Sequence, residues 1–81
     1  MVTPESIRAS LEAGLPCTHL EVRGDGHHFE AVIVSPAFAG LSRIRQHQLV
    51  YAALGDRMRE EIHALSMRTL TPDQWPGEAR G

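Results

Sequence analysis

Apolar positions recur along this chain with two different periods, and the switches between them mark out its elements. Ile7, Leu11 and Leu15 stand four residues apart, a narrow stripe at helical spacing. Thr3 can cap such a helix, Pro4 suits its first turn, and Glu5 complements the positive end of its dipole. Gly14 and Pro16 close it, so a short amphipathic helix is predicted over residues 4 to 14. From His19 to Arg23 the period shortens to two, with Leu20 and Val22 on one face. Gly24-Asp25-Gly26 is a turn sequence of the kind that joins antiparallel strands. Phe29 to Ser35, rich in β-branched residues, reads as the second strand, and Pro36 ends the pairing. Residues 18 to 35 are therefore a predicted hairpin.

Phe38-Ala39-Gly40 makes a tight connection, and Ser42 is a suitable cap for the longest helix of the chain. Ile44, His47, Tyr51, Leu54, Met58 and Ile62 recur at steps of three and four, which predicts one continuous buried seam. Gly55 falls inside that helix and weakens it by about 1 kcal/mol relative to alanine. Ala64 to Thr69 alternates again and reads as a third strand. Thr71 to Trp75 forms one last helical turn, and Pro76 to Gly81 reads as a loose tail. The expected fold class is α/β (α+β): a single domain over residues 1–75 in the order α-β-β-α-β, with a three-stranded mixed sheet and a flexible tail over 76–81.

This order has a consequence for chemistry. The second strand, the long helix and the third strand form a β-α-β unit, whose crossover is right-handed and whose strands run parallel. Parallel strands start at the same end of a sheet. The second strand starts near His27 and His28 and the third near His63, so the topology gathers three imidazoles at one edge.

Composition narrows the classes. With 81 residues and a single cysteine, the chain has room for one domain and no internal disulfide, and a reducing cytoplasmic compartment is expected. No apolar run approaches the ~20 residues of a membrane span, and the N-terminus lacks the pattern of a signal peptide. The net charge is −2, and the basic residues are all arginine, a balance unlike that of most nucleic-acid binders.

Enzymatic chemistry finds little support. Cys17 with His19 is the only nucleophile–base pair close in sequence, and Cys17 sits in a turn with no lysine or helix start to lower its thiol pKa. It reads as a small apolar filler. There is no phosphate loop and no paired carboxylate motif, so neither an enzyme nor a small-molecule substrate is expected. Metal chemistry fits better. His63 with His27 or His28 would supply two nitrogens at one sheet edge, too few for a closed zinc site but suited to one completed by another molecule. The structural alternative leaves His28 in solvent and His63 capping the end of the long helix. His47, alone on the apolar seam, reads as a buried, hydrogen-bonded core residue. Arg43 and Arg45 lie in the first helical turn, where the dipole disfavours positive charge. They read either as contacts for an anionic partner (a carboxylate, glutathione or a phosphate backbone) or as ordinary solvated arginines.

Several segments together resemble the BolA-like proteins. They are Gly24-Asp25-Gly26-His27-His28-Phe29, Val32-Ile33-Val34-Ser35 leading to Phe38-Ala39-Gly40, the helix core His47-Gln48-Leu49-Val50-Tyr51, and Ile62-His63-Ala64-Leu65-Ser66 with Thr69-Leu70-Thr71-Pro72. The resemblance covers residues 4 to 75. It implies a type II KH-like fold, partnership with monothiol glutaredoxins, and a role in iron–sulfur cluster handling and iron homeostasis. It also implies a 2Fe-2S cluster shared between the two proteins. One iron is held by the glutaredoxin cysteine and a glutathione thiol, and the other by a histidine matching His63 and a histidine or cysteine of the hairpin loop. The loop cysteine of some members is absent, leaving His28 or His27 for that role, and adjacent strand residues point to opposite faces. Gln46 stands where the family often has arginine ahead of the helix histidine. A rival expectation is a nucleic-acid-binding regulator of the stress response, contacting DNA through Arg43 and Arg45, although the Gly-x-x-Gly loop of KH domains is missing.

Overall fold

The computed structural model describes residues 3–25, 27–55 and 64–75. Helix α1 (Pro4–Gly14) opens on a reciprocal cap. The Thr3 hydroxyl accepts from the Ser6 N–H at 3.1 Å, and the Ser6 hydroxyl accepts from the Thr3 N–H at 3.0 Å. Serine thus fills the place a glutamate or glutamine takes in most capping boxes. Ile7 and Leu11 are fully buried and Leu15 nearly so, as the stripe predicts.

Strands β1 (His19–Gly24) and β2 (His28–Val34) pair antiparallel, and β3 (Ala64–Leu70) lies parallel to β2, in the spatial order β1-β2-β3. The predicted order α-β-β-α-β and the mixed sheet are both present. Register explains which side chains enter the core. Leu20, Ile33 and Thr69 form one row across the sheet; Val22, Ala31 and Met67 form the next; Gly24, Phe29 and Leu65 form the last. The apolar members of these rows pack with Ile7 and Leu11 of α1 and with Phe38, Val50 and Leu54 beyond the hairpin. Phe29, Ile33 and Phe38 are fully buried; burying each such side chain contributes about 1.5–3 kcal/mol. Ser35 is also fully buried, but its hydroxyl donates to the Pro16 carbonyl at 2.8 Å and accepts from the Ala37 N–H at 3.1 Å. A satisfied hydroxyl costs little in a core. It ties the helix-to-strand turn to the end of β2.

Helix α2 (Arg43–Leu54) begins at Ser42, whose hydroxyl accepts from the Arg45 N–H at 3.3 Å. Its buried face meets the predicted seam only at Leu54. Ile44 is 70% exposed and Tyr51 43% exposed, while Val50 and Leu54 are buried and Leu49 and Ala53 pack against the core. The inward stripe is therefore 46-49-50-53-54, a set spaced i, i+3, i+4, i+7, i+8. It was hidden because it opens on a polar residue and includes a small one, Gln46 and Ala53. Gln46 belongs there for a specific reason. Its carboxamide donates to the Phe38 and Leu41 carbonyls, both at 3.1 Å, and accepts from the Thr69 hydroxyl at 2.6 Å. These bonds fix the rotation of α2 over β3.

Gly55 is likewise not a helix-interior residue. It ends α2 with φ 67°, and its N–H donates to the Tyr51 carbonyl at 2.9 Å. A residue with a Cβ resists that conformation, so glycine terminates the helix here. Met58 and Ile62, the last members of the predicted seam, lie outside the described residues, as does the predicted tail over 76–81. The predicted last turn is present as a 3-10 helix at Pro72–Gln74.

The assignment of the buried face is open to measurement. Leu54→Ala should lower the stability by about 2–5 kcal/mol, whereas Ile44→Ala should change it by no more than about 0.5 kcal/mol. Urea denaturation of the two variants decides between the faces, since the predicted seam requires both to be costly.

Candidate functional site

The β1–β2 turn is built by one carboxylate. Asp25 accepts from the His27 N–H at 2.9 Å and the His28 N–H at 2.8 Å, and its own N–H donates to the His28 carbonyl at 3.1 Å. Aspartate in a turn commonly bonds the backbone a few residues onward, so Asp-x-His-His after a glycine carries a readable signal for this geometry. The bonds to the His28 and His27 amides favour the ionised carboxyl and hold it below its ordinary value of 3.8. Gly24 completes the turn, because a Cβ there would run into the His28 carbonyl oxygen and the Phe29 ring.

This turn presents the two hairpin histidines. Both are exposed; His27 precedes β2 and His28 is its first residue. His28 alternates with the buried Phe29, which places its imidazole on the sheet face opposite the helices. With Arg23, Gly24, Asp25 and Glu30 it lines a shallow depression of about 440 Å³. Arg23 and Glu30, register partners across the hairpin, form an ion pair there at 3.5 Å. The parallel register sets His28 beside Ala64, the first residue of β3. His63, the third candidate ligand, precedes Ala64 in the chain and lies outside the described residues. Among the described residues no group of three His, Cys, Asp or Glu side chains could hold a metal ion.

Arg43 and Arg45 are both exposed in the first turn of α2. Arg43 lines a second depression of about 380 Å³ with His47 on the helix and Met67, Arg68, Thr69 and Leu70 on β3. This groove lies along the second half of β3, roughly 10 to 20 Å from Ala64 at about 3.3 Å per residue. His47 is half-buried in its wall and is not part of the apolar core, a correction to its reading as a core residue. The inward hydrogen bonding expected of it is performed by the half-buried Gln46 instead. Arg68 and Asp25, which the sequence patterns did not single out, join the two candidate sites.

Cys17 is half-buried and unpaired in any disulfide. Burial first, and then the nearby Glu12 charge, push its thiol above the usual 9.0, which keeps it protonated and poorly nucleophilic. Its nominal base is engaged elsewhere. His19 Nε2 lies 2.8 Å from a Glu21 carboxylate oxygen, and its ring stacks on Trp75 with centroids 4.5 Å apart. No helix among the described residues is long and apolar enough to cross a membrane.

The fold and this edge define a small α+β domain with a three-stranded mixed sheet and a histidine-bearing hairpin. Residues 2–74 match the family model described as BolA-like protein, and the chain belongs to that family. It is 45% identical over 80 residues to Protein BOLA2 of Arabidopsis thaliana, covering 93% of this chain and 85% of the relative. The crystal structure of a bol-like protein from Babesia bovis superposes with a TM-score of 0.84 at 32% identity, covering 99% of this chain and 96% of the other. A protein of Haemophilus influenzae named as the DNA-binding transcriptional regulator BolA is 35% identical over 60 residues, covering 74% of this chain and 58% of the relative.

The turn makes a pH prediction. Because Asp25 has a lowered value in the fold, the unfolded chain takes up its proton first as pH falls. Its contribution is complete above the unfolded value and is lost as pH falls through the folded one. The stability difference between the protein and Asp25→Asn should therefore be constant at neutral pH and shrink below about pH 4. Urea denaturation at a series of pH values measures it, and a difference that grows on acidification contradicts the assignment.

Proposed function

We propose that this protein is a partner of a monothiol glutaredoxin and shares a 2Fe-2S cluster with it in cluster trafficking and iron homeostasis. The observation that carries the reading is the parallel register, which sets His28 beside the residue that follows His63, in a chain that belongs to the BolA-like family. In this reading His63 and one hairpin histidine hold one iron. The glutaredoxin cysteine and a glutathione thiol hold the other, and the cluster is cargo passed between partners. His28 is the favoured hairpin ligand, because it is the residue in register with Ala64, and His27 is the alternative. The donor chemistry fits an incomplete site. Two imidazoles serve an iron whose remaining ligands come from the cluster, and imidazole in place of thiolate raises the potential of the pair. Asp25 is a positioning residue, since its carboxylate spans the amides of both hairpin histidines. No catalytic step is assigned to the chain, and its work is expected in the cytoplasm.

The test is visible absorption and circular dichroism of the protein mixed with a glutathione-bound, cluster-loaded monothiol glutaredoxin. The expected result is a changed cluster spectrum that His63→Ala abolishes and that one of His28→Ala and His27→Ala alters far more than the other. A spectrum that never changes, or changes equally with every variant, removes the histidines as ligands.

A second reading is nucleic-acid binding. It is favoured by the name of the Haemophilus influenzae relative and by α2, which carries two arginines and no acidic residue. If DNA binds through Arg43 and Arg45, affinity should fall steeply with salt, with a log–log slope near −2 for two phosphate contacts, at about −0.9 per contact. A flat salt dependence in fluorescence anisotropy excludes it.

A further inference from the structure

The groove between α2 and β3 plays no part in the cluster-sharing reading, and it combines three features. The first is charge. Among the described residues its lining holds Arg43 and Arg68, with His47 beside them, and no acidic residue, in a chain whose net charge is −2. The second is the backbone. Among the described residues β3 pairs only with β2, so it is an edge strand. The Leu70 carbonyl accepts from the Ser35 N–H at 2.9 Å and so points toward β2. Backbone groups alternate along a strand, which turns those of Met67 and Thr69 to the open side, along the groove. The third is apolar surface. Ile44 and Tyr51, the exposed large apolar residues of the described chain, stand on the same helix as Arg43 and His47.

We propose that this groove binds an extended acidic peptide segment of a partner protein, which adds as a strand to the open edge of β3. The backbone groups of Met67 and Thr69 pair with the segment, as in other cases of strand addition to a sheet edge. Its carboxylates meet Arg43 and Arg68, with bidentate geometry open to each guanidinium. His47 lines the helix wall beside them, and apolar side chains of the segment flanking the carboxylates meet Ile44 and Tyr51. Each of the other occupants leaves something unused or opposed. A phosphodiester chain would use the cations but has no backbone to pair with the strand. A second copy joined edge to edge through β3 would bring two sets of Arg43 and Arg68 together, like charge against like.

The experiment is amide-shift NMR on the full-length, 15N-labelled protein. It is titrated with capped octapeptides that alternate Val or Thr with Asp or Glu, with the same peptides carrying Lys at the acidic positions, and with an eight-nucleotide oligothymidylate. The acidic peptides should shift the amides of Met67, Thr69, Arg43 and His47 and leave His28 unmoved. Affinity should fall at least tenfold in Arg43→Ala with Arg68→Ala, exposed positions whose truncation should leave the rest of the spectrum in place. His28→Ala should bind normally, which separates this site from the cluster-ligand edge. The proposal is overturned if no acidic peptide shifts these amides at millimolar concentration, or if the lysine peptides bind equally well. It is also overturned if the oligonucleotide alone binds there, or if the shifts depend on protein concentration without peptide, the mark of self-association.

Discussion

Parallel pairing between β2 and β3 is the constraint on which the remainder of this molecule depends. Two parallel strands cannot be joined by a tight turn, so the chain must leave the end of β2, cross over the sheet and return to its starting edge. That return requires an element to cover the inner face, and α2 serves as that cover with Val50 and Leu54 buried against Phe29 and Ile33. α1 packs beside it through Ile7 and Leu11. The same pairing sets His28 level with Ala64, so the crossover that closes the core also determines what stands at the sheet's histidine-bearing edge.

The two ends of β3 differ in chemistry because they differ in what the crossover leaves there. At its start lies the hairpin turn, where Asp25 uses its charge on backbone amides and leaves the imidazoles of His27 and His28 at the surface. At its finish lies the start of α2, where Gln46 bridges two loop carbonyls and the Thr69 hydroxyl. A neutral amide is well suited to that position. It both donates and accepts within one part-buried network, whereas a guanidinium could only donate and would leave Thr69 without its acceptor. Gln46 therefore has a structural occupation here, and the cations that line the groove beside it are Arg43 and Arg68.

Much of the fold was legible in the residues. The capped start of α1, the alternation in β1 and β2, the turn at Gly24-Asp25 and the stop at Pro36 rest on short-range steric and hydrogen-bonding preferences that a few neighbours settle. The parallel sense of β3 followed from chain order and handedness. The face of α2 did not, because two stripes compete on that helix. The predicted one leaves its large apolar side chains Ile44 and Tyr51 in solvent, and only Leu54, which the two stripes share, is buried. Periodicity measures which residues share a face and cannot tell which face meets the core when both carry apolar groups.

Sequence by itself therefore determined the elements, their order and the residue types available at each strand end. Only tertiary structure decided the rotation of α2, the ending of that helix at Gly55, the place of His47 in a groove wall and the presence of Arg43 and Arg68 along one groove. Each of these depends on contacts between segments far apart in the chain. The Gln46–Thr69 bond spans 23 residues, and no local preference of either residue encodes its partner.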